Sequence, residues 1–221
     1  EESKYLQRLL QKHGYYHVAV DGIVGKITQQ AFNDFKKENW LAQPDLLGKT
    51  TLELLEDKSI KKEKYDFSTK ENTIKSIILE CKKQGLTLKT QIAYVLATAE
   101  WETNYTFKPV REAYWLSEQW RKNNLRYFPW YGRGFSQLTW ESNYRKYGKL
   151  LGIDLVNNPD LALEPYNSCF ILVHGSKHGT FTGRKIEDYI NTSKTDYINA
   201  RRVINGIDKA QEIAKLAEKW Q

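Results

Sequence analysis

A chain of 221 residues with 40% hydrophobic and 28% charged residues has an ordinary globular composition, long enough for one large domain or for a small one and a medium one. No apolar run approaches the ~18 residues of a membrane span, which excludes stable membrane insertion as a reading. The formal charge of +7 is uneven, with a net of −1 over residues 1–56 and +8 over the remainder. A basic region suits an anionic partner such as nucleic acid, a membrane surface or a cell-wall polymer. Neither a basic recognition helix nor zinc-finger spacing supports nucleic acid.

The first element is a helix in which Tyr5, Leu6, Leu9 and Leu10 recur at helical spacing, stopped by Gly14. Val20-Asp21-Gly22-Ile23-Val24-Gly25 reads as a tight turn, with Asp bonding its own backbone and each Gly relieving a steric limit. A second helix carries Ile27, Ala31, Phe32 and Phe35 on one stripe, and Thr50 with Glu53 forms a capping-box pattern for a short third helix. The lysine-rich run Lys58–Lys64 reads as a solvated linker. Ser68 and Glu71 repeat the capping pattern before a helix bearing Ile74, Ile77, Ile78 and Cys81.

The next helix carries Ile92, Ala93, Leu96 and Ala99 and ends in Glu100-Trp101-Glu102-Thr103. Residues 126–140, rich in Tyr, Phe, Trp and Gly, form the one convincing β segment. Helices follow near 142–151, 165–178, 195–204 and 208–220, with Pro165 at a helix start and Asp208 and Gln211 as a capping pair. Cys81 and Cys169 sit on apolar helix faces and read as buried free thiols, a single disulfide being the alternative. The 7 Trp and 14 Tyr fall mostly in the second half, where they either pack the core or stack on flat ligands.

Glu100 and Glu102 are two apart, so on a helix they point about 200° away from each other and only one can face a cleft. Glu112 lies beyond Pro109 on a following loop or helix. Cleavage of a glycosidic bond needs two flanking carboxyl groups, or one plus a device that fixes water. Trp101 and Tyr105 supply a candidate apolar wall against which an acid could stay protonated.

Two stretches carry family resemblances. Tyr5-Leu6-Gln7, Gly14-Tyr15 and Val20-Asp21-Gly22-Ile23-Val24-Gly25 with Thr28, Ala31, Phe32 and Phe35 resemble the three-helix peptidoglycan-binding domain over about 50 residues. Asp21, Gly22 and Gly25 still read as turn residues before ligand contacts. The ordered runs Ala99–Thr103, Arg111–Tyr114, Tyr131–Trp140, Asn143-Tyr144, Asn157–Ala162 and Val203–Gly206 are similar to glycoside hydrolase family 19, the chitinase-like fold that also includes phage endolysins. The expected fold is mainly α: a small three-helix binding domain (1–57), a linker (58–67) and a lysozyme/chitinase-like α-rich domain (68–221) with a small β-hairpin or sheet.

The second resemblance implies Glu102 as general acid, Glu112 as the second carboxylate with Glu118 as the alternative, and Thr139 as the hydroxyl that holds the attacking water. It implies Gln137, Asn143, Tyr131 and Asn205 as polar residues of the substrate cleft. Arg133 is either an anchor of the carboxylate network or a structural salt bridge. Trp101 stands where the family usually has His. The implied activity is inverting hydrolysis of β-1,4 bonds in peptidoglycan, by a monomer that needs no cofactor or metal. The implied setting is a phage lysis enzyme held in the host cytoplasm before release to the wall, or a secreted protein if a leader was removed. Three rivals stand beside it: a chitinase, a non-enzymatic wall-binding protein, and a zinc-dependent amidase or peptidase. The zinc reading rests on His174 and His178, four apart, without a His-Glu-x-x-His pattern.

Overall fold

In the computed structural model, which describes residues 1–38, 47–56 and 65–221, the chain divides into two units, Glu1–Tyr65 and Asp66–Gln221. The first contains α1 (Glu2–Lys12), α2 (Lys26–Glu38) and α3 (Lys49–Glu56). Their apolar stripes meet in a core of Leu9, Leu10, Phe32, Phe35 and Leu55. Tyr5, expected on that stripe, is half exposed, and its hydroxyl donates to Glu56 Oε1 at 2.8 Å. The fully buried Gln7 side chain pins the turn after α1, accepting from Gly22 N–H at 2.8 Å and placing Nε2 2.8 Å from Asp21 Oδ1. Asp21 Oδ1 also accepts from Ile23 N–H at 2.8 Å, and this backbone bond, followed by Gln7, holds the carboxyl below its ordinary value. Gly25 needs no steric relief, since an added Cβ there would meet open space. The Thr50 side chain and the Lys58–Lys64 linker lie outside the described residues.

The second unit begins earlier than the sequence suggests. Asp66 N–H donates to Ser76 Oγ and Ser76 Oγ donates back to Asp66 O, both at 2.8 Å, while Phe67 packs on the core. The residues expected to end a linker are therefore tied to α4 (Lys70–Lys83). Thr69, not Ser68, caps that helix, accepting from Asn72 N–H at 3.1 Å.

Helix α5 (Lys89–Glu102) is buried around most of its surface, including Ala93, Tyr94, Val95, Leu96, Ala97, Thr98 and Ala99. It then runs out into a reversal in which Asn104, Tyr105 and Phe107 take positive φ. The short strand β1 (Val110–Arg111), α6 (Glu118–Asn124), strand β2 (Arg133–Gly134) and α7 (Glu141–Leu151) follow. After a 3-10 turn at Pro159–Leu163 come α8 (Pro165–His178), strands β3 (Ile190–Asn191) and β4 (Lys194–Thr195), α9 (Tyr197–Ala200) and α10 (Ala210–Trp220).

The main core joins α4, α5, α8 and α10 through Ile77, Tyr94, Val95, Leu172, Val173 and Ile213. Cys81 and Cys169 are buried there as free thiols, and burial raises both above the usual thiol range. A second core of Leu138, Tyr144, Tyr147, Leu155, Ala162 and Ile171 lies under α7 and α8.

Three expectations need correction. Of residues 126–140 only Arg133–Gly134 is strand, paired antiparallel with Val110–Arg111 in the register Arg111↔Arg133. Arg133 and Leu138 close a tight turn beside it by exchanging backbone bonds of 3.2 and 2.8 Å. The segment 195–204 is broken into α9 and a 3-10 turn at Arg201–Val203. Asp208 does not cap the last helix, because Lys209 takes a left-handed φ of +59° and the helix starts at Ala210.

Gly134 explains why glycine punctuates the hairpin. Its φ is +88°, and a Cβ there would stand 2.6 Å from Ser168 Oγ and 3.0 Å from Ala162 O. Gly134→Ala should therefore cost about 2 kcal/mol or more of stability. Denaturant unfolding of the full chain checks this, and an unchanged midpoint would contradict it.

Candidate active site

Burial of α5 makes it a fixed rod, and Glu100 and Glu102 leave its end in different directions, as helical phase requires. Glu100 Oε2 accepts from Trp220 Nε1 at 2.7 Å, on the side of α10. Glu102 instead lines a cleft of about 520 Å³ together with Glu112, Gln137, Thr139, Asn143 and Asn205. Six residues taken from five separate motifs of the sequence thus share one hollow. Tyr127, Ser136, Trp140, Phe181, Thr182 and Ile204 complete its lining.

Each carboxylate is held by donors. Glu102 Oε1 accepts from Arg201 Nη1 at 2.7 Å, and Arg201 is itself buried, its Nε donating to Asp208 O at 3.1 Å. Glu112 Oε1 accepts from Tyr127 OH at 2.8 Å and Oε2 from Gly132 N–H at 3.0 Å. Burial, then this bond to Glu112, pushes the Tyr127 phenol up to about 12, so it stays a donor at neutral pH. Gly132 leaves room for this contact, since a Cβ there would stand 2.7 Å from Gln137 Oε1 and 3.2 Å from Glu112 Oε2.

The polar floor is tied to the same hairpin. Gln137 Nε2 donates to Val110 O at 2.9 Å, Thr139 Oγ1 to Gln137 O at 2.8 Å, and Asn143 Nδ2 to Thr139 O at 2.9 Å. With its proton so committed, the Thr139 oxygen is left to accept from a water. Trp140, half exposed with a φ of +76°, stands beside Tyr127 at a ring-centroid distance of 5.1 Å, and Arg126 lies over its ring at 5.1 Å.

Three residues expected in the site do not line this cleft. Tyr131 is fully buried, packed under the Arg133 guanidinium at 3.7 Å, where it cannot meet a sugar. Arg133 is buried too and donates through Nε to Asp160 Oδ1 at 2.7 Å and through Nη1 to Pro129 O at 2.8 Å and Tyr144 OH at 3.1 Å. The structural reading of Arg133 therefore holds. Glu118 accepts from Arg121 Nε at 2.8 Å and Tyr131 OH at 3.0 Å, behind the cleft. Burial alone would raise its carboxyl, but the Arg121 and Tyr131 bonds and the charges of Arg121 and Arg133 hold it low. Of the two candidates for the second carboxylate, Glu112 is the one that shares a hollow with Glu102.

The Asn-Asn-Pro-Asp run also acquires a physical reason. Asp160, in the 3-10 turn, receives Arg133 on Oδ1 and Arg111 Nη2 on Oδ2 at 3.2 Å, joining β1 and β2 from behind. His174 and His178 lie 4.4 Å apart with their rings tilted by 34°, within an aromatic cluster containing Tyr147 and Phe170. Burial, then the charges of His178 and nearby lysines, lowers His174 to about 4. Among the described residues no group of three or more His, Cys, Asp or Glu has the arrangement of a metal site.

Arg201, Tyr127 and Trp140 escaped the sequence reading. Arg201 lies 99 residues from its partner, and only its place just before Val203–Gly206 signals it. Tyr127 stands out only as one of the aromatics of 126–140, and Trp140 only as the last residue of the Tyr131–Trp140 run, with no role attached.

Residues 89–170 match the glycoside hydrolase family 19 model, described as chitinase class I. A domain of that family therefore occupies the segment from the start of α5 into α8. Five of the six expected lining residues fall within it, and Asn205, like Arg201, lies beyond. Chitinase 8 of Oryza sativa subsp. japonica is 64% identical over 33 residues, 15% of this chain and 13% of its own length. Endochitinase 1 of Theobroma cacao is 36% identical over 62 residues, 28% of this chain and 14% of its own. Inactive chitinase-like protein 1 of Hevea brasiliensis is 59% identical over 32 residues, 14% of this chain and 10% of its own. The matched stretches thus span 10% to 14% of the length of these relatives.

The Asp160 fork carries a pH dependence. Burial would raise its carboxyl, but the hydrogen bond and charge of Arg133, joined by Arg111, hold it below the ordinary value. A depressed folded pKa contributes stability above the unfolded pKa and loses it as pH falls through the folded one. Asp160→Asn should destabilise the protein by about 0.5–1.5 kcal/mol near neutral pH, because it removes the counter-charge of buried Arg133, a loss reduced by solvent screening of the largely exposed Asp160 side chain. The gap to wild type should close below about pH 4 in thermal unfolding. A gap that persists unchanged into acid would contradict the charge argument.

Proposed function

We propose that the second unit is a glycoside hydrolase that cleaves β-1,4 bonds of peptidoglycan glycan by single displacement with inversion. The convergence of Glu102, Glu112, Thr139, Gln137, Asn143 and Asn205 on one cleft carries this reading. The family 19 match over α5 and the hairpin supports the reaction class.

Glu102 protonates the glycosidic oxygen as the bond to the anomeric carbon breaks. Arg201, already on Oε1, stabilises the carboxylate this leaves and keeps Oε2 for the leaving oxygen. A water whose hydrogen is accepted by Thr139 gives its proton to Glu112 and attacks the anomeric carbon from the opposite face. Tyr127 and Gly132 fix the Glu112 carboxylate so that its remaining lone pairs meet that water. Trp140 and the amides of Gln137 and Asn143 offer one apolar face and several polar edges, the pattern a pyranose presents.

Peptidoglycan is preferred over chitin on two grounds: the resemblance of the first unit to a peptidoglycan-binding domain, and the net +8 beyond residue 56, which suits an anionic wall. A second reading, chitin as substrate, is favoured by the names of the relatives, which include chitinases and endochitinases. The two polymers share N-acetylglucosamine, so the cleft chemistry serves either.

Wild type and Glu102→Gln should be incubated with purified peptidoglycan and with chitin, and the products read by mass spectrometry. The expected result is new reducing ends from peptidoglycan by wild type, undiminished by EDTA, a loss of about 10²–10⁴-fold in the variant, and unchanged sedimentation with the wall. Release of peptide or amide ends, or an undiminished rate in Glu102→Gln, would overturn the proposal. Products from chitin alone would establish the second reading.

A further inference from the structure

Glu100 stands two residues before the proposed acid, near the end of the same helix, and faces the other way. Its carboxylate is largely buried, with 13% of the side chain exposed. Oε2 accepts from the Trp220 indole of α10 at 2.7 Å, and Lys70 Nζ of α4 stands 4.0 Å from Oε1. A carboxylate taken out of water is costly, and one hydrogen bond and one loosely held cation offset little of that cost. Such a group is a poor device for stability, so its use lies in what it holds.

What it holds is the last turn of α5. Glu102 is the final residue of that helix, where carbonyls lack helical partners and the chain tends to fray. The backbone then reverses through Asn104, Tyr105 and Phe107, all at positive φ and none of them glycine, a path that persists only where the surroundings enforce it. Inside the reversal, Tyr105 N–H donates to Glu100 O at 2.7 Å. The buried Thr103 hydroxyl donates to Ala99 O at 2.7 Å and accepts from Phe107 N–H at 3.0 Å. From outside, Lys70 Nζ donates to Tyr105 O at 3.0 Å and lies 5.2 Å over the Phe107 ring. Phe107 is fully buried and meets Trp220 edge to face at 5.9 Å and 76°. The first residue of α4 and the last of α10 thus close on the reversal, and Glu100 joins them through its backbone oxygen and its carboxylate.

We infer that Glu100 is a positioning residue for Glu102: clasped by Trp220 and Lys70, it fixes the last turn of α5 on the side away from the cleft. This rests on the hydrolase reading above and adds α4 and α10 to the parts that set the direction of the acid. Arg201 holds the Glu102 carboxylate, and the clasp holds the backbone that carries it. The effect is on orientation, so it falls on the chemical step and not on sugar binding.

The test compares Glu100→Ala, Glu100→Gln and Trp220→Phe in the full chain, well below each thermal midpoint, on soluble fragments of whichever polymer wild type cleaves. Glu100→Ala should lower kcat about tenfold or more and leave KM within about twofold. Glu100→Gln keeps an oxygen that accepts from the indole and should recover most of kcat. Trp220→Phe keeps an aromatic ring beside Phe107, loses the donor, and should match Glu100→Ala; it carries the test if Glu100→Ala does not fold. Combined, Glu100→Ala and Trp220→Phe should cost no more than either alone, since both break one bond. An unchanged kcat, a loss confined to KM, additive losses, or no rescue by Glu100→Gln would overturn the role. Failure of the hydrolase reading shows differently, in wild type releasing no reducing ends from either polymer.

Discussion

Two hydrogen bonds between Glu112 and Gly132 organise this protein. Glu112 N–H reaches Gly132 O at 2.7 Å, and Gly132 N–H reaches the Glu112 carboxylate at 3.0 Å. The residue is thus attached to the hairpin by its backbone and aimed by its side chain. Because Gln137 and Thr139 belong to that hairpin, fixing Glu112 also fixes the polar floor. Glycine at position 132 leaves the Glu112 carboxylate and the Gln137 amide the space they occupy, since a Cβ there would press on both.

Opposite this pair, Glu102 owes its position to a different kind of constraint. A helix buried on most sides cannot rotate without breaking the core, so its last residue is set by packing. Arg201 then adds direction through one charge-assisted bond. Behind the hairpin, Asp160 ties Arg111 and Arg133, while Arg121 holds the loop between β1 and α6. The cleft thus has cations behind it as supports and carboxylates on its surface. The support is what allows short strands of two residues to hold the cleft geometry at all.

Much of this was legible in the sequence because of period. The helix over 165–178 and the ends of α5 and α7 follow apolar spacing and start signals closely. The six residues of the cleft were legible through motif order, since their separation along the chain gives no local sign of convergence. What stayed hidden has physical causes. Strands of two residues carry no alternation to detect, so β1, β3 and β4 were invisible. Capping chemistry points to the right turn but not the right residue, as Thr69 in place of Ser68 shows, and a left-handed Lys209 breaks the pattern outright. Tyr131 and Arg133 sit in the most recognisable motif, yet they serve it from underneath. A motif records which residues are needed together, without recording which of them face the ligand.

The central claim is that two carboxylates flank a groove with room for a water between one of them and the sugar. The stereochemistry of the first-formed product tests it most directly. Proton NMR during the first minutes of hydrolysis of a soluble β-1,4-linked substrate distinguishes the anomers before they equilibrate. Initial accumulation of the α-anomer is the result this account predicts, because water enters opposite the leaving oxygen. Initial accumulation of the β-anomer would mean a double displacement, and would remove Glu112 from its role as the base that activates water.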